Sequence, residues 1–87
     1  MKTQTVYEVY GKEMSTDYAQ QRYATKNMQE ACKLAREWLN GRYLSQSEAW
    51  VEKVSEDEGK EIKREEIYHA ILDENGKVKS VHPYGRG

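Results

Sequence analysis

Between Asn27 and Gly41 the apolar side chains Met28, Ala31, Cys32, Ala35, Trp38 and Leu39 recur at i, i+3, i+4, i+7, i+10 and i+11. That spacing gathers them onto one stripe of an α-helix, with Gln29, Glu30, Lys33, Arg36, Glu37 and Asn40 on the wet side. Asn27 is suited to cap the free amides of the first turn, and Glu30, three residues on, is placed to reach back to it as in a capping box. Gly41 is expected to end the helix in the left-handed conformation. On either side of this helix the period changes to that of strands.

Thr3 to Tyr10 is dense in Val, Tyr and Thr and predicts a strand, with Thr5, Tyr7 and Val9 on one side and Val6, Glu8 and Tyr10 on the other. Gly11 to Asp17 reads as a turn. Tyr18 to Thr25 predicts a second strand in a hairpin with the first, although Ala19, Gln20, Gln21 and Arg22 also tolerate helix. After a connection at 42–47, in which Tyr43 and Leu44 are expected under Trp38, Glu48 to Ser55 forms a strand. Its Ala49, Val51 and Lys53 face one way and Trp50, Glu52 and Val54 the other. The charged run Glu56 to Lys60 is a hairpin tip, and Glu61 to Leu72 returns as a long strand whose charged first half suits an exposed or edge position. Asn75-Gly76 is the strongest short hairpin signal. A type I′ turn there pairs Leu72 with Lys79, Ala70 with Val81 and His69 with His82. Pro83 ends the ladder, and residues 83–87 read as a flexible tail to a domain of residues 1–82.

The fold class is therefore α+β: an antiparallel sheet of four to five strands with one covering helix, in the order β-β-α-β-β. A helix about 10 Å across covers two or three strands spaced about 4.8 Å apart. Yet both sides of the strands carry bulky apolar residues, so one copy of the chain has more apolar β-surface than its helix can hide. Which sheet side meets the helix stays open at this level. Val6, Tyr10, Trp50 and Val54, or their alternates, are the residues expected without cover, and they are the candidate partner-binding set, with Tyr10, Trp50 and Val54 at the surface.

Composition narrows the function classes. Eighty-seven residues allow one domain. At 37% hydrophobic and 33% charged, with mean hydropathy −1.07, the chain is polar, but seven Tyr and two Trp give it bulk to bury. A net charge of −1 and a pI near 6.1 supply no phosphate-coating surplus. The halves differ little: seven basic and five acidic side chains precede residue 45, and seven basic and ten acidic follow. The single cysteine, Cys32, cannot form an internal disulfide and fits a reducing compartment. No apolar run suggests a secretory signal or a membrane span, and the expected location is cytoplasmic.

No catalytic constellation stands out, so no catalytic residue, metal or cofactor is expected. Cys32 lies on the apolar stripe, where a thiol is a small core residue. His69 and His82, opposed on the last hairpin, lack a third ligand at motif spacing. The eight acids between Glu48 and Glu66 are interleaved with Lys53, Lys60, Lys63 and Arg64, the pattern of a solvated face with cross-strand ion pairs rather than of a nucleic-acid mimic. Tyr7, Tyr10, Tyr18, Tyr23 and Trp50, with Lys12 and Arg22 nearby, could stack unpaired bases, which makes a single-stranded nucleic-acid binder the alternative reading.

The run Tyr23-Ala24-Thr25-Lys26-Asn27-Met28-Gln29-Glu30-Ala31, followed by Leu34-Ala35, resembles the strand-to-helix junction of small bacterial and phage α+β modules. It is similar to the helix entry of HicB-type antitoxins and to the short accessory proteins of phages and mobile elements, anti-CRISPR proteins among them. The resemblance implies no particular functional residue. It implies a habit: such proteins act by sitting on another macromolecule. The leading expectation is accordingly a non-enzymatic inhibitor or regulator that binds another protein, or a second copy of itself, through an apolar and aromatic sheet face.

Overall fold

A computed structural model of the chain describes residues 3–13, 19–42 and 46–81. It contains β1 (Thr3–Lys12), β2 (Gln20–Thr25), α1 (Met28–Asn40), β3 (Glu48–Asp57), β4 (Lys60–Leu72) and β5 (Val78–Ser80). The five strands form one antiparallel sheet in the order β2-β1-β3-β4-β5, with α1 laid across one side. The α+β class and the single helix agree with the sequence pattern. Residues 20–25 are strand rather than helix, and the fifth strand is present. Tyr43, Leu44 and the tail after Val81 lie outside the described residues.

The odd-numbered positions of β1 meet the helix. Tyr7, Val9 and Gly11 stand opposite Lys53, Val51 and Ala49 on β3. Val9, Ala49, Val51, Ala70 and Leu72 pack with Ala31, Ala35, Trp38 and Leu39 into one core, which Tyr7, Cys32, Leu34, Ile67, Tyr68 and Val78 border. Four of these core residues are alanines, and Gly11 lies beneath Trp38. A Cβ on Gly11 would sit 2.9 Å from Cη2, Cζ2 and Cζ3 of that indole. The missing side chain is what lets the ring lie on the sheet. Met28, placed on the apolar stripe by its spacing, is instead 48% exposed: at the first turn it overhangs the sheet.

Both helix caps differ in detail from expectation. Asn27 is extended (φ −112°) and its side chain accepts from the Glu30 amide at 2.9 Å, as predicted. The Glu30 carboxylate, however, does not bond the Asn27 amide. It accepts from the Thr25 hydroxyl at 2.5 Å, and that hydroxyl oxygen accepts from the Asn27 amide at 3.2 Å. Thr25 thus relays the second half of the capping box and ties β2 to α1. At the other end Gly41 is not left-handed but helical (φ −84°, ψ 0°). Its amide bonds the Glu37 and Trp38 carbonyls while Arg42 bonds Leu39 at 2.8 Å, so a tightened last turn satisfies the carbonyls without a left-handed residue.

The strands are longer and less regular than the pattern suggests. The β3–β4 tip shrinks to Glu58-Gly59, with φ of 54° and 82°, the two positive values of a type I′ turn. The Asn75-Gly76 signal marks a turn but of another kind. Only Gly76 has positive φ (77°), and the Asp73 carboxylate accepts from the amides of Asn75 and Lys77, both at 2.9 Å. That side chain organises a longer loop from Asp73 to Lys77. The register is corrected by one residue: Leu72 pairs with Val78, Ile71 with Lys79 and Ala70 with Ser80.

The packing sets two contrasting expectations. Gly11→Ala drives a methyl into the Trp38 ring and should destabilise the fold by about 1–3 kcal/mol. Gly41→Ala, at a helical φ with its nearest neighbour 3.6 Å away, should be neutral or stabilising by about 0.4–1 kcal/mol. Urea denaturation of the two variants measures both.

Candidate functional site on the helix-free sheet face

The even-numbered positions of β1 point away from the helix. Across the central strands, Val6 stands opposite Val54, Glu8 opposite Glu52, Tyr10 opposite Trp50 and Lys12 opposite Glu48. On β4 the matching residues are Arg64 beside Val54, Glu66 beside Glu52, and His69 beside Trp50. Two register shifts between β3 and β4, at Val51/Glu52 and Ser55/Glu56, let β4 contribute His69, Glu66, Arg64 and Glu61 to one face despite their uneven spacing.

Three rings stand in a row across three strands. Tyr10 stacks on Trp50 (centroids 5.9 Å apart, planes 16°) and Trp50 on His69 (5.4 Å, 13°). Each ring's polar atoms are already engaged. The Tyr10 hydroxyl donates to Glu8 at 2.6 Å, and the Trp50 indole N–H donates to Glu52 at 2.9 Å. His69 places Nδ1 3.0 Å from Glu66 and Nε2 2.9 Å from Glu48. A neutral imidazole can donate to one of these carboxylates, an imidazolium to both.

Arg64 closes the other half of the face. From β4 its Nη1 reaches across β3 to Glu8 on β1 at 2.8 Å, to Glu52 at 2.7 Å and to the Tyr10 hydroxyl at 3.1 Å. Its Nη2 and Nε bond the two oxygens of Glu61 at 2.7 and 2.8 Å. The side chain that makes these contacts starts beside Val54, its register partner. Val54 is 1% exposed although it belongs to no part of the helix-side core, and the adjacent Arg64 stem is the candidate cover. The three carboxylates raise the Arg64 pKa further above its already high ordinary value. Hydrogen bonding to Arg64 holds Glu61 below the usual glutamate range, and burial, helped by Glu8, pushes the Tyr10 phenol up.

The four candidate partner-binding residues, Val6, Tyr10, Trp50 and Val54, do share this face. Tyr10, Trp50 and Val6 are half-buried. Val54, expected at the surface, is buried instead: it lies between Val6 on β1 and Arg64 on β4 in the register. The face is therefore not a bare apolar sheet but an aromatic row set among Glu8, Glu48, Glu52, Glu61 and Glu66, with Lys12, Arg64 and, at the β5 edge, Lys79 among its cations. Glu8, Glu52, Arg64 and His69 were not singled out as a group by sequence reasoning, because their convergence depends on β4's irregular register. The alternation of charges did point to cross-strand ion pairs.

The other candidates disperse. Tyr7 and Tyr23 lie on the helix side, away from Tyr10 and Trp50, and Tyr18 is outside the described residues. Cys32 is half-buried and its thiol is pushed up by burial. His82 is outside the described residues, and among those described no group of three or more His, Cys, Asp or Glu is placed to hold a metal ion. No described helix is long and apolar enough to cross a membrane.

Two substitutions separate the jobs of Arg64. Arg64→Met keeps the stem and loses the charge; Arg64→Ala loses both, and should cost about 1 kcal/mol more because Val54 is uncovered. Equal stabilities in urea would show that the stem is not the cover. Because the Glu61 pKa is depressed in the fold, its pairing stabilises above the ordinary glutamate value and is lost as pH falls through the folded value. In Arg64→Met the Glu61 carboxyl, followed by NMR, should titrate back in the ordinary range.

Compared with known protein families, with curated proteins and with solved structures, the chain matches none.

Proposed function

We propose that the chain is a small cytoplasmic, non-enzymatic binding module that docks a foreign protein on its helix-free sheet face and acts by occupancy, as an inhibitor or regulator does. The observation that carries this reading is the Tyr10–Trp50–His69 row, held rigid by bonds to Glu8, Glu52, Glu48 and Glu66. A preorganised aromatic row loses little freedom on binding, and Trp and Tyr are the side chains that most often dominate interface energies. The surrounding carboxylates favour a partner that brings Lys and Arg to its rim.

The same charges argue against self-association through this face. Two copies set face to face would oppose Glu8, Glu48, Glu52, Glu61 and Glu66 with their own counterparts. They also disfavour the single-stranded nucleic-acid reading, since phosphates would approach carboxylates, and the strand aromatics are split between two sides of the sheet.

Sedimentation should find a monomer. A Lys- and Arg-rich peptide titrated at low salt should move the NMR signals of Tyr10, Trp50 and His69, with the effect fading as salt is raised. Trp50→Ala should weaken that binding about tenfold or more, a hot-spot loss. Shifts confined to other residues, or none at low salt, would remove the reading.

A further inference from the structure

A second gathering of like charges lies on the helix side, over Trp38. Gly11 takes one face of this indole, since a Cβ there would be equally distant from Cζ2, Cη2 and Cζ3 and hence above the six-membered ring. Two guanidiniums also lie against this indole. The Cζ atoms of Arg22 and Arg42 lie 4.9 and 4.6 Å from the ring. They come from unrelated places: Arg22 is the extra residue at the β1–β2 register shift between Val9 and Tyr10, and Arg42 follows the last turn of α1.

Two cations over one ring repel unless anions separate them, and the described residues supply one carboxylate. Glu13 accepts from Arg42 Nη1 at 2.9 Å, whereas Arg22 Nη1 finds only the neutral Gln20 side-chain oxygen at 3.0 Å. Both Nε atoms are buried without a partner among the described residues. Arg42 and Glu13 keep about a third of their side chains in solvent (32% and 38%), and Arg22 is half-buried, so the charged ends remain reachable.

We propose that Arg22 and Arg42 form a binding site for a phosphate group, free or as a monoester. A phosphate offers two guanidinium forks at least three terminal oxygens and up to two charges, where a carboxylate offers two oxygens and one charge, and the phosphate charge offsets the surplus that Glu13 leaves among the described residues. Glu13 is then a competitor for Arg42 rather than part of the site. These residues are separate from the aromatic row, so this site and the docking face stand or fall independently.

The test titrates the full chain with inorganic phosphate and, in a second arm, O-phosphoserine, following the Trp38 indole and arginine Nε–H signals by NMR, with acetate as control. Saturable shifts with either phosphate and weaker ones with acetate are expected; tighter binding of phosphoserine identifies a monoester as the ligand, and equal binding identifies phosphate itself. Arg22→Gln and Arg42→Gln should each weaken binding about tenfold, the loss of a charge-assisted bond, while Glu13→Gln should tighten it. Should either arginine variant fail to fold, Glu13→Gln decides. Acetate binding as well as phosphate, no saturable shift, or a Glu13→Gln variant that binds more weakly than the parent would overturn the site.

Discussion

Arg64 does for one side of the sheet what the helix does for the other. A sheet with apolar residues on both faces and one helix must cover the second face by some other means. Here a single side chain that starts beside the buried Val54 spans from β4 to β1 and ends on Glu8, Glu52 and Glu61. Each such ion pair, partly in water, is worth about 1 kcal/mol or less. The charges at its end are what aim the Arg64 stem. Tyr10 joins both systems, stacking on Trp50 and sharing Glu8 with Arg64.

The helix side solves the opposite problem, too little room rather than too little cover. Ala31, Ala35, Ala49, Ala70 and Gly11 keep the layers close, so that Trp38 can lie flat and Leu39 can be fully buried. A large ring laid flat needs a roof at the end of the helix, and Arg22 and Arg42 provide it. On both sides of the sheet, arginines cover apolar groups. The difference lies in their anions: Arg64 is over-supplied with carboxylates, whereas of Arg22 and Arg42 only Arg42 bonds one among the described residues.

How much of this was legible follows from the range of each interaction. Local periodicity and capping chemistry located α1, Asn27 as its cap, and the strands, since those depend on neighbours three or four residues away. The alternation along β1 and β3 correctly grouped Val6, Tyr10, Trp50 and Val54 on one side. It did not say which side met the helix, because Tyr7 and Val9 are as apolar as Val6 and Tyr10.

Val54 shows where local pattern stops: it is buried between Val6 on β1 and Arg64 on β4, a strand whose two irregularities no alternation rule anticipates. The turn at Asn75-Gly76 shifted by one residue because the Asp73 side chain captured two amides, a competition between hydrogen bonds that dipeptide preference does not weigh. The sequence by itself determined the elements, their order and the faces of the two central strands. Only the tertiary structure decided the β4 register, the route of Arg64 and the meeting of Arg22 with Arg42. Those depend on which long side chain finds a partner across two strands, a distance in space with no counterpart along the chain.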